Sequence, residues 1–199
     1  MYYFIIEPLK LRGIVIVAYL CENYLMITGG KGGANTKTGL VFEGRVDVLE
    51  VFKRVPGYTV HKDGTILFKD KPVAQHLRKN LLYKFLENKG VDYKDILSKK
   101  LLPDDAIYVP SAKTLYVIEM KFQKVAGSVD EKLQTCDFKK KQYMKLMDPL
   151  KIKVDYIYVL NDWFTVPAYR DVLGYIKEVG CDYYFNEISL NRLDLPSEK

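Results

Sequence analysis

Residues 101–123, LLPDDAIYVPSAKTLYVIEMKFQ, constrain this chain more than any other stretch. Two strand-like runs, Asp104–Pro110 and Thr114–Phe122, meet at a short turn through Ser111, Ala112 and Lys113, which predicts a hairpin. Side chains alternate between the faces of a strand. Tyr116, Ile118, Met120 and Phe122 therefore share a wholly apolar face. Leu115, Val117, Glu119, Lys121 and Gln123 share the other, which begins apolar and turns charged. Charge on such a core-like strand is costly unless something pairs it. Antiparallel pairing brings the start of the first strand beside the end of the second, so Asp104 is expected to approach Glu119. Two carboxylates that close repel one another, and a divalent cation resolves the repulsion. All-oxygen ligation suits Mg²⁺, with Mn²⁺ as a substitute. Lys121 is then placed to orient a metal-bound water and, with the metal, to stabilise charge on a phosphate. Asp104 and Asp105 point to opposite faces, so only one of them serves as ligand.

The flanking sequence predicts an α/β domain around a central mixed sheet flanked by helices. A Gly-rich loop, GGKGGANTKTG (29–39), leads into a helix expected from Gly39 to Arg54, with Phe42, Val46 and Leu49 at helical spacing. Residues 58–69 read as a hairpin around Asp63-Gly64. A helix is expected over Val73–Lys89 and a connector over 90–102. After the hairpin at 104–122, Ser128-Val129-Asp130-Glu131 matches a capping box that opens a helix to Met147. A strand follows at 153–160. Pro167 then begins a helix that stops near Gly180, and a last strand covers 182–189.

Composition narrows the chemistry. A chain of 199 residues, 48% hydrophobic, suits a single domain with a sizeable core. Its 31 Lys+Arg against 25 Asp+Glu give a formal charge of +6, which favours a polyanionic partner. Only His61 and His76 occur, too few and too poorly placed for an HNH nuclease or a Ser-His-Asp hydrolase. Cys21, Cys136 and Cys181 lie far apart and form no CxxC pair, which argues against a zinc site or disulfide framework and for a reducing, cytoplasmic setting. The apolar run at 14–20 is too short to span a membrane. Residues 1–25 read as an N-terminal extension, with Met26 an alternative start to Met1.

Pro103-Asp104 followed by Glu119-Met120-Lys121, on a hairpin and ahead of a capped helix, resembles the PD-(D/E)XK superfamily of restriction-endonuclease-like nucleases. Together with GGANTKTGLVFE it is most similar to type II restriction endonucleases. The resemblance covers roughly residues 36–160 of the single domain expected over 1–199. It implies metal-assisted hydrolysis of double-stranded DNA with Asp104, directly after proline, as the ligand beside Glu119. It also implies that a glutamate on the first helix reaches the metal through water. Glu43 fits that role, with Asp47 and Glu50 weaker candidates on the same face. Gln123 is a further candidate for contact with the phosphate or a water. Lys132, Lys139, Lys140, Lys141 and Lys145, the helix N-terminus at Ser128, and Asn35 and Lys37 in the Gly-rich loop are candidates for phosphate contacts. That loop is no P-loop, because Thr36 precedes Lys37 where glycine is required. A palindromic DNA site would call for a homodimer. The alternatives are a Holliday junction resolvase or repair nuclease with the same residues, and a basic DNA-binding protein without catalysis.

Overall fold

In a computed structural model the described residues are 39–42, 47–124 and 129–198. All of them fall within one compact unit, Ala34–Lys199. The N-terminal extension, residues 29–38 of the Gly-rich loop with Asn35 and Lys37, and also Glu43 and Ser128, lie outside the described residues.

The framework is a seven-stranded mixed sheet whose strands stand side by side in chain order. β2 (Tyr58–Val60) and β3 (Thr65–Phe68) form the expected hairpin, and Gly64 takes the positive φ of +87° that its turn requires. β4 (Lys71–His76) pairs antiparallel with β3. The helix expected over Val73–Lys89 is thus corrected to a strand followed by a shorter helix, α2 (Asn80–Asn88). The tight turn before β4 is made by Lys69 and Asp70, both at positive φ, and Lys-Asp lacks the Asn-Gly signature that would announce it. Pro72 is tolerated in β4 because β5 pairs only with Gln75 and His76 at the strand's far end.

β5 (Asp105–Val109) and β6 (Thr114–Lys121) form the central hairpin, with Asp105 opposite Ile118 and Val109 opposite Thr114. From β6 the chain crosses over through α3 (Val129–Leu133) and α4 (Cys136–Met147) and returns as β7 (Lys153–Leu160), parallel to β6 along its whole length. The single helix expected to Met147 is therefore broken between Leu133 and Cys136. A second crossover through α5 (Arg170–Glu178) delivers β8 (Asp182–Phe185) parallel to β7, so the sheet continues past residue 160.

The strand expected over 182–189 divides. After β8, Asn186 turns at positive φ and β9 (Glu187–Ser189) leaves the sheet to pair antiparallel with β1 (Gly39–Val41). The helix expected from Gly39 to Arg54 is replaced by β1 and a short helix, α1 (Val48–Phe52). Apolar spacing in that stretch fits a helix locally, but the pairing partner of β1 lies at the other end of the described chain, where no local pattern reaches.

Apolar side chains fill both faces. α2, α4 and α5 cover one, where Leu82, Leu86, Leu146 and Ile176 pack on Leu115, Val117 and Leu160. α1, the β1–β9 pair and the 3₁₀ turn Leu190–Leu193 cover the other, against Ile107, Ile118 and Val159. Among the described residues no helix is long and apolar enough to cross a membrane.

Candidate active site

The β5–β6 register places the residue before Asp105 across from Glu119, and Lys121 links the two side chains. Lys121 Nζ lies 2.5 Å from Glu119 Oε1 and 3.9 Å from Asp104 Oδ2. One ammonium thus stands between the two predicted carboxylates. Their surroundings differ: Glu119 is 8% exposed, whereas the Asp104 side chain is 61% exposed.

Two further groups close on Glu119. From α4, Lys139 Nζ sits 2.8 Å from both carboxylate oxygens. From β7, the Tyr156 hydroxyl donates to Oε2. Tyr156 is wholly buried, with the Tyr143 ring of α4 stacked on it at 6.5 Å. Burial alone would raise the Glu119 pKa. The Lys121 charge and hydrogen bond, helped by Lys139, outweigh it and hold the carboxyl below its ordinary range. Burial, then the neighbouring Glu119 charge, pushes the Tyr156 phenol upward, so it stays protonated and serves as a donor.

Asp105 goes to the opposite face. Its Oδ1 lies 2.7 Å from Nε2 of His76, and both residues are buried. Burial raises the Asp105 pKa, and the hydrogen bond from His76 offsets this only in part. Asp47 completes a group whose ligand-type atoms lie within 4.8 Å of one another. Asp47 is already engaged, however: its carboxylate accepts from the Leu49 N–H as the cap of α1 and pairs with Arg78. This group reads as a polar clamp joining α1, β4 and β5.

The remaining candidates disperse. Glu50 pairs with Lys53 on an exposed helix face. β6 ends at Lys121, so strict alternation does not extend to Gln123, whose backbone N–H and carbonyl are both held by the Asn161 side chain at 3.1 and 2.7 Å. Lys140 donates to the Gly180 carbonyl and Lys141 pairs with Asp137. Lys132 and Lys145 are exposed. Lys139, expected to face phosphate, has its ammonium on Glu119 instead. Sequence reasoning missed Tyr156 and Tyr143; the one signal for the first was its place on a strand-like run, KVDYIYVL.

Comparison of the chain with protein-family models, with curated proteins and with solved structures finds no match in any of the three.

Proposed function

We propose that the chain is a metal-dependent endonuclease that hydrolyses phosphodiester bonds in double-stranded DNA, organised like the PD-(D/E)XK enzymes and acting as a type II restriction endonuclease. The observation that carries this reading is the shared ammonium: Lys121 stands between Asp104, just ahead of β5, and Glu119 on β6. Its support is that a buried, ionised carboxylate beside an exposed one at a sheet end is costly as a structural device and useful as a cation site.

The residues fit Mg²⁺ or Mn²⁺. Asp104 and Glu119 supply oxygen donors only, Glu119 is held ionised, and the exposure of Asp104 leaves an open approach for solvent and substrate. Held there, such a cation supplies Lewis acidity toward the phosphate and a more acidic bound water. The protein does the rest. Tyr156 and Lys121 hold the Glu119 carboxylate, and Lys121 offers positive charge where charge accumulates on the phosphate. Cutting both strands calls for two copies of the site, supplied by a homodimer.

The test is cleavage of supercoiled and linear duplex DNA in Mg²⁺, in Mn²⁺ and in EDTA, with a four-way junction as a parallel substrate. Cleavage of duplex in either metal, lost in EDTA and in Glu119→Gln, is expected. Cutting in chelator would sink the metal reading. Preference for the junction would turn the substrate toward recombination intermediates.

A further inference from the structure

Lys139 is surplus to the hairpin arrangement. Asp104, just ahead of β5, and Glu119 and Lys121 of β6 already assemble without it, yet Lys139 reaches across from α4 and bridges both oxygens of Glu119 at 2.8 Å. That bridging position, facing both oxygens of one carboxylate, is where a divalent cation gains most from it. The helix holds Lys139 there firmly. Cys136 and Tyr143, about one turn to either side, are buried, so any motion of the ammonium belongs to its own side chain. That side chain is 24% exposed, which leaves its four-carbon stem a way out to solvent.

We propose that Lys139 is a built-in competitor for the metal: its ammonium holds the cation's place on Glu119 and must leave for a divalent ion to bind. The proposal rests on the nuclease reading for the identity of the site. It gives a physical reason for a second lysine at a carboxylate already paired with one. Without a cation, a buried carboxylate facing Asp104 is kept charged and ordered. With one, the ammonium is released and metal affinity is set lower than two carboxylates would give by themselves. Removing a positive charge at this range strengthens binding of a second cation, by about tenfold after solvent screening.

The experiment is calorimetric titration of Mn²⁺ into wild type, Lys139→Met, Lys139→Arg and Glu119→Gln, alongside DNA cleavage as a function of Mn²⁺ concentration. Methionine keeps the apolar stem and removes the charge. Lys139→Met is expected to bind Mn²⁺ about tenfold more tightly than wild type, and its half-saturating Mn²⁺ for cleavage should fall by a similar factor. Lys139→Arg should stay close to wild type, and Glu119→Gln should lose the ion. A merely structural role predicts the opposite sign, because a damaged site binds metal more weakly. Equal or weaker binding by Lys139→Met overturns the proposal, as does undiminished Mn²⁺ binding by Glu119→Gln. If Lys139→Met does not fold, Lys139→Gln takes its place under the same criteria. A wild-type protein that binds Mn²⁺ at Glu119 and cuts no DNA overturns the nuclease reading, and the affinity comparison still decides the role of Lys139.

Discussion

Glu119 is an ionised group inside an apolar sheet, and three donors from three elements determine what it can do there. Because its pKa is lowered on folding, the stabilisation from its ion pairs is complete at neutral pH and is lost as pH falls through the folded value. The difference in melting temperature between wild type and Glu119→Gln, measured without metal, should therefore shrink as pH falls below the ordinary carboxylate range and vanish only beneath the depressed folded value. Lys121→Ala should reduce cleavage by about 10²–10³ while duplex binding in Ca²⁺ persists, since one fixed charge at the reacting phosphate is lost and many peripheral contacts remain. A parallel fall in binding and cleavage would make Lys121 a docking residue. The two adjacent aspartates should separate cleanly. Asp104→Asn should abolish cleavage with little change in stability. Asp105→Ala should leave the chemistry in place but cost about 1–3 kcal/mol in urea unfolding, because buried His76 loses its partner. The meeting of Asp104, Glu119 and Lys121 was legible in the sequence because hairpin parity is a local rule. Lys139 and Tyr156 were not, since their arrival depends on how a crossover helix and a parallel strand dock.

The elements show the same division between local and distant causes. The central hairpin and β7 were readable from runs of apolar and β-branched residues, and the stop of α5 before Gly180 from its glycine. β4 was hidden because Lys69 and Asp70 adopt a turn that their residue types do not advertise, and β1 because its partner is β9. Gly64 is a turn residue that no other side chain replaces without strain. Its φ is +87°, and a Cβ there would meet the His76 carbonyl at 3.0 Å. Gly64→Ala should cost about 1–2 kcal/mol by urea unfolding, from the strained φ and the crowding against β4 together. A neutral result would show that the β2–β4 corner relaxes without loss.

Across the whole molecule, the surplus of positive charge has a direct consequence for the proposed substrate. Duplex affinity should fall linearly with salt on a log–log plot. Lys132 and Lys145 are exposed on α3 and α4, free of the contacts that hold Lys139, Lys140 and Lys141. Replacing both with alanine should flatten that slope by about 2 while leaving the cleavage rate at saturating DNA unchanged. An unchanged slope would move the phosphate-contacting surface elsewhere.

Because β2 to β8 stand in the sheet in the order in which they occur in the chain, each strand finds its neighbour already synthesised when it leaves the ribosome. Loop-closure costs stay small at each addition, and unpaired edges are exposed only briefly. The β1–β9 pairing breaks this pattern, since residues 39–41 must wait for 187–189 before they can pair. Among the described residues that clasp is therefore the late step of vectorial folding. Until it closes, the apolar face it helps to cover is open to the chaperones and proteases that survey nascent chains.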